Sequence, residues 1–453
     1  MKKYTFSIFV FFISTTQPLL SLTKSVQVNT AGTLSTLLSQ TELQSLDTLI
    51  VAGFMDGHDF GTIQSMSTLQ TIDLSGVTVK GYGTPGGLGG FDDNAVPWYA
   101  FSECKALTSI NLPVSVTTIG RNAFQNCKAL KSIMLPPSLT VLMNAAFSGC
   151  ISLASVDFPV SLAYIGNDVF IGSGLTSLQL PTSIKSIGSH AFYGCIGLKT
   201  LDLSSLTITS LDLGVFMWCT ELTSVILPSS LRTLDGTFAY CKALTSINLP
   251  PNLTSLGFET FSECISLTTL NIPSTVQTIG EAVFLGCTGL KSCNIPNSVT
   301  KTGSRAFSGC SGLASIYAYS TNPIDLNSSD SVFKGVNMAG CILYVPSGSR
   351  SLYQAAYQWK DFVNIVEMTS TAVNELSGNK NSVLYPNPTS EDFSVIGLEG
   401  SAQLRIFDEN GRQLVSRSIE NNKKVSVSTL PTRVYTVKIT TPDGTTTYKL
   451  LKR

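Results

Sequence analysis

Histidine is nearly missing from this 453-residue chain: there are two, His58 and His190, far apart in sequence. Neither has Cys or carboxylate neighbours at the spacing of a metal site, so metal binding and histidine-based catalysis have little to build on. A surplus of charge is missing too, because 29 Lys and Arg balance 29 Asp and Glu, and charged residues are only 13% of the chain. With no basic excess to release counterions from a phosphate backbone, nucleic acid is not expected as a partner. Long apolar runs are also lacking. The greasiest, Phe6–Ile13, is too short to span a bilayer, and no later stretch approaches the ~18–20 apolar residues of a spanning helix. The mature chain is therefore expected to have no transmembrane segment. Nor is there a Gly-x-Ser-x-Gly elbow, a His-Glu-x-x-His pair or a phosphate loop, and no cofactor is expected. What the chain does have is 43% apolar residues, enough to bury large cores and too many for a disordered polymer.

Lys2 and Lys3 precede Phe6–Ile13, then polar Ser14–Gln17 and the stretch Pro18–Ser21. That order reads as an export signal over residues 1–21, with the mature protein starting near residue 22. The alternative, a first buried helix, would leave a helix without a polar face.

A repeat dominates the middle of the chain. Phenylalanine recurs at Phe101, Phe124, Phe147, Phe170, Phe192, Phe216, Phe238, Phe261, Phe284 and Phe307, in steps of 23, 23, 23, 22, 24, 22, 23, 23 and 23, with a weaker copy at Phe333. After each comes a leucine and a short alternating segment that ends in proline, as in Leu107, Ile110, Leu112, Pro113 and again in Leu244, Ile247, Leu249, Pro250. Apolar residues two apart put one side of a strand inward, and proline stops the ladder. A second extended piece, such as Val116–Gly120 or Val276–Gly280, leads into the next phenylalanine. One unit alone buries too little apolar surface to offset the ordering of its backbone, so the units must stack, each strand pairing with the next. The expected fold is mainly β: a solenoid of about ten 23-residue repeats with a parallel sheet.

Three residues after most of these phenylalanines comes a cysteine: Cys104, Cys127, Cys150, Cys195, Cys219, Cys241, Cys264, Cys287 and Cys310, nine of the eleven in the chain. Export into an oxidising compartment favours disulfides. The positions between core Phe and Leu instead favour free buried thiols packing as small hydrophobes. Two substitutions point the same way, since Ser173 stands next to where a cysteine belongs and Cys293 takes the Ile place of a strand. On distance alone adjacent rungs leave bridging open.

The unit Ile-Gly-x-x-Ala-Phe-x-x-Cys-x-x-Leu-x-x-Ile-x-Leu-Pro, as in Ile119 to Phe124, Cys127, Leu130, Ile133, Leu135 and Pro136, resembles the BspA-type leucine-rich repeat. The resemblance covers roughly residues 97–345. It implies a curved right-handed solenoid on an exported bacterial protein, a class in which several members bind host matrix proteins or other cells. Residues 22–96, with Leu49–Gly53, Phe60–Ile63, Leu69–Leu74 and the glycine-rich Gly81–Gly90, are expected to cap its start. Residues 346–368, with Tyr353, Trp359, Phe362 and Ile365, follow the strand-like Cys341–Pro346 and are expected to close its end.

Polar residues 369–382 read as a linker. Beyond them, residues 383–453 alternate in short strands, with Asn410-Gly411 and Asp443-Gly444 as hairpin signals, and are expected to form a small Ig-like β-sandwich. The words Tyr385-Pro-Asn-Pro-Thr389, Phe407-Asp-Glu-Asn-Gly411 and Lys449-Leu-Leu-Lys452 resemble the C-terminal sorting domain of type IX secretion cargo, although Thr432-Arg433 stands where that family commonly has a glycine. This resemblance implies recognition by the secretion machinery and a place on the outer surface of a Gram-negative cell, or release from it.

Between the core positions of the strands lie mostly uncharged polar residues, among them Asn111, Asp157, Gln179, Asp202, Asn248, Asn271 and Tyr317. Such a face suits many weak contacts to an extended protein or glycan, and it also suits plain solvation. Departures from the repeat are a second set of candidates: Trp98 at the end of the Gly81–Trp98 insertion, Met217-Trp218, and Tyr240, where aromatics at turns anchor a partner, stack on a sugar, or merely pack. Three functions remain in view. The first is an adhesin-like binding protein for a host or bacterial surface protein or glycan. The second is an accessory that captures glycan or peptide as nutrient, and the third a secreted hydrolase using Asp157 and Asp202. Those two carboxylates stand about 10 Å apart at the rung spacing, only at the upper edge of the inverting-glycosidase range, so an enzyme is not expected.

Overall fold

Each repeat bends around its phenylalanine. The residues two before and two after it have positive φ, as at Asn122 (56°) and Asn126 (57°) beside Phe124, or Ala282 (54°) and Gly286 (71°) beside Phe284. This conformation directs alternate N–H groups at the next repeat: Asn122 donates to Asn144 O at 3.0 Å, Phe124 to Ala146 O at 2.8 Å and Asn126 to Ser148 O at 2.8 Å. Three bonds per rung thus tie neighbouring turns together outside the strands. Glycine takes the second positive-φ place at Gly149, Gly172, Gly194, Gly286, Gly309 and Gly335, where a Cβ would be strained.

The structure, a computed structural model, describes residues 22–82, 91–368, 383–385, 389, 391–396, 398, 400–408, 411–421, 423–441 and 444–452. The expected signal segment, most of the glycine-rich loop, the linker 369–382, residues 386–388 of the Tyr385 motif, Asn410 and Asp443 lie outside the described residues.

Two columns of parallel strands run along the solenoid. The first begins with the long strands Thr23–Val28, Thr48–Met55 and Thr71–Val79, which pair in order and hand over to Ser109–Asn111. It continues through the single bridges Asn111–Met134 and Met134–Asp157, then Thr200–Asp202, Ser224–Ile226 and Ser246–Ile247. Its last part is Thr269–Leu270, Ser292–Ile295, Ser315–Ala318, Ile342–Val345 and Asn364–Glu367. The second column consists of two-residue strands from Ala95–Val96 to Ser186–Ile187, and from Ser210–Leu211 to Lys301–Thr302. The fold is therefore the expected mainly-β leucine-rich-repeat solenoid, with one correction: the sheet is a series of short ladders instead of one continuous surface. The second column breaks between Ser186–Ile187 and Ser210–Leu211, where the step from Phe192 to Phe216 lengthens to 24 residues.

Inside, the phenylalanines form a spine. From Phe101 to Phe333 neighbouring rings lie 4.9 to 6.0 Å apart, close to parallel. Edge-on rings end the stack: Phe60 meets Phe101 at 81°, and at the other end Trp359 and Phe362 meet Phe333 at 60° and 81°. These contacts cover terminal rings that would otherwise face water. Buried Asp59 organises the first end, its carboxylate accepting from the backbone N–H of Gly32 (2.7 Å), Leu34 (2.8 Å) and Asp56 (2.9 Å). At the far end Gln358 replaces a missing rung: its Oε1 accepts from Val332 N and its Nε2 donates to Ser329 O.

All eleven cysteines are free thiols. In the column each buried thiol donates to the carbonyl of a phenylalanine in the preceding repeat, as Cys127 does to Phe101 (3.1 Å), Cys241 to Phe216 (3.3 Å) and Cys310 to Phe284 (3.0 Å). Ser173 is in the column itself and not beside it, with its hydroxyl 3.3 Å from Cys195 Sγ. Burial pushes these thiols up, to about 12 for Cys150 and Cys195 and well above the ordinary thiol value for Cys241 and Cys264, which suits packing and suppresses thiolate chemistry.

The C-terminal residues build a separate core. Val383–Tyr385, Asp392–Ile396 and Lys424–Ser426 form one antiparallel sheet. Gln413–Glu420, Ser401–Phe407, Val434–Thr441 and Gly444–Leu451 form another. Alternating Phe393 and Val395, Leu404 and Ile406, and Val437 and Ile439 are buried together.

Candidate binding surface

The strand alternation leaves the residues between core positions facing out, and the first column presents them as a strip. Asn111, Met134 and Asp157 follow one another through bridge pairs, and all three are exposed, Met134 to 79%. Asp202, Asn271 and Gln179 are also exposed, although Gln179 belongs to no strand. Asn248 and Tyr317 are half-buried. Asp202 accepts from Ser204 N at 2.9 Å, a local turn contact, and Asp157 sits on the strip beside Met134 without a second carboxylate. Nothing brings these two acids into one cleft.

Some outward residues serve the scaffold. Asn294 clamps the preceding rung, its Oδ1 accepting from Ile272 N at 2.8 Å and its Nδ2 donating to Ile272 O at 3.0 Å. Asn248 Nδ2, by contrast, is buried without a partner among the described residues. Tyr317 stacks on Tyr344, with centroids 4.7 Å apart and planes at 8°. Tyr344 is a further outward aromatic, marked by the alternation with buried Leu343 and Val345. The pairing of Ser315–Ala318 with Ile342–Val345 places it.

The aromatic departures fall elsewhere. Trp98 is 38% exposed and lies against Gly120, where an added Cβ would stand 2.9 Å from its Cδ1. Trp218 and Tyr240, 22 residues apart, come together: centroids 4.4 Å apart, planes at 10°, with the Lys242 ammonium 5.8 Å from the Trp218 ring. Among the described residues no group of three or more His, Cys, Asp or Glu could hold a metal ion, and no helix is long and apolar enough to cross a membrane.

A stacked solenoid with a Phe spine, a Cys column and strands bearing open outer faces defines a leucine-rich-repeat scaffold, whose recurrent use of geometry is to display surface. The chain belongs to the BspA-type leucine-rich repeat family, whose model matches residues 94–223 and 209–338. Residues 383–453 match the secretion system C-terminal sorting domain, which marks the protein for type IX export to the cell surface or the medium. No curated protein matches the chain. Among solved structures it is similar to a leucine-rich repeat protein from Bacteroides ovatus, at 24% identity over 68% of this chain and 82% of that one, with a TM-score of 0.50. It is also similar to a leucine rich cell surface protein from Faecalibacterium prausnitzii (23%, 60% and 79%, 0.36) and a leucine rich repeat protein from T. pallidum (29%, 44% and 77%, 0.29).

Proposed function

We propose that this is a non-enzymatic, adhesin-like binding protein, which recognises a protein or other ligand of a host or bacterial surface through the outer face of its first strand column. The supporting observation is the strip Asn111, Met134, Asp157, an exposed row joined rung to rung along the first column that the core does not require. Extended partners gain affinity on such strips by many small contacts around a few apolar anchors. Export through the sorting domain supports this reading, since a surface or released protein has its outer face open to other cells. The pairing of exposed acids with no shared cleft argues against the hydrolase reading.

The test is binding of the exported chain to immobilised fibronectin, laminin and mucin. Met134→Asp is expected to weaken the interaction about tenfold, an effect of about 1.4 kcal/mol, while leaving the fold intact. A protein that binds none of the three, or binds equally well as Met134→Asp, would remove this face from consideration.

A further inference from the structure

The second positive-φ position of the turn is occupied, rung by rung, by Glu103, Asn126, three glycines, Trp218, Tyr240, Glu263 and three more glycines. Trp218 has φ 64° and Tyr240 φ 61°. The fold imposes this conformation at both turn positions of every repeat, and bulky side chains generally avoid it. Nothing in the stacking of the core calls for rings here, since glycine does the same backbone work in six other repeats.

The two rings stack face to face and are not sealed in: Trp218 is 36% exposed and Tyr240 half-buried. Tyr240 covers one face of the indole. On the side of the preceding rungs stand Gly194 and Gly172. A Cβ built on Gly194 would meet nothing nearer than 3.8 Å, and one on Gly172 would meet nothing within 4 Å. The column thus offers a shelf of bare backbone about two rungs long, roughly 10 Å, beside the other face of the indole. Among the described residues neither the indole N–H nor the Tyr240 hydroxyl has a hydrogen-bond partner, and the Lys242 ammonium stands over the indole ring, 5.8 Å from its centroid, where a ligand would meet it.

We propose that Trp218, Tyr240 and the Gly172–Gly194 shelf bind a pyranose ring of a glycan. The flat CH face of the sugar stacks on the indole while its hydroxyls meet the indole N–H, the tyrosine hydroxyl and Lys242. A flat shelf with an aromatic wall suits a ring laid against it, whereas a protein anchor needs a pocket to enter. This site lies on the turns and not on the strand strip, so it stands or falls separately from the protein-binding role proposed above.

The full chain is to be titrated with cellohexaose, mannohexaose and hexagalacturonate, followed by calorimetry and tryptophan fluorescence. At least one is expected to bind. Trp218→Gly and Tyr240→Gly should each weaken that binding at least about tenfold, Trp218→Phe by no more than about threefold, and Met134→Asp not at all. The double glycine variant should melt within about 2 °C of the parent, because glycine already fills this position elsewhere. Three outcomes overturn the proposal: none of the oligosaccharides binds, binding survives Trp218→Gly, or the double variant melts lower than that margin, which would make the pair a packing element.

Discussion

The Cys287 thiol donates to the backbone carbonyl of Phe261, 3.0 Å away and one repeat back. That carbonyl already accepts from Cys264 N at 3.2 Å, so the thiol takes its second lone pair and links side-chain column to backbone turn. Cys287→Ala should cost about 1–2 kcal/mol in urea unfolding, from the lost bond and the small void. Cys287→Ser should cost less, because Ser173 already occupies this column. An alanine variant as stable as the parent would show that the bond contributes nothing.

The same column predicts alkaline lability. Burial raises the folded thiol pKa above the unfolded value of 9.0, so the stabilisation from keeping these groups neutral is complete below about pH 9 and is lost as pH rises beyond it. Each of the fully buried column thiols adds about 1.4 kcal/mol per pH unit to that loss. The melting temperature should hold between pH 7 and about 8.5 and then fall steeply. Replacing Cys241, Cys264 and Cys287 with Ser should make the fall shallower. A parent curve flat to about pH 11 contradicts the burial of the thiols.

Phe192 lies between Phe170 and Phe216, 5.4 Å from each ring, with no exposed surface. Phe192→Ala should cost about 3–5 kcal/mol through its cavity, read from chemical denaturation. A melt matching that of the parent would place the ring outside the core.

Thr302 pairs with Ile279 at the end of the second column, in a place that other rungs give to Val, Leu or Ile, and its buried hydroxyl has no partner among the described residues. Thr302→Val keeps the shape and removes the unpaired group. A gain of about 1 kcal/mol is expected, and a loss would reveal an unseen partner for the hydroxyl.

Much of the solenoid could be read before any coordinates. The Phe and Cys intervals, and the alternation around Ile110 or Ile247, specify inward positions because every turn must present the same shape to its neighbours. The ladder breaks could not be read in this way. One extra residue between Phe192 and Phe216 is easily counted, but whether two-residue strands stay paired across it depends on the path of the backbone between them. Ser173 stands three residues after Phe170, the offset of the column cysteines, and its hydroxyl contact to Cys195 joins it to the next rung. Of the candidate surface residues, Asn111 and Asp157 proved to be neighbours on one strip through Met134, while Gln179 fell between ladders.

Periodic spacing alone established which side chains of the repeats are enclosed, because burial imposes an identical demand on each repeat. Whether Trp218 meets Tyr240, Tyr317 meets Tyr344, or two distant acids share a cleft was decided only by folding. Outward positions face no common demand, and their neighbours depend on rung register and on the sign of φ at the turn.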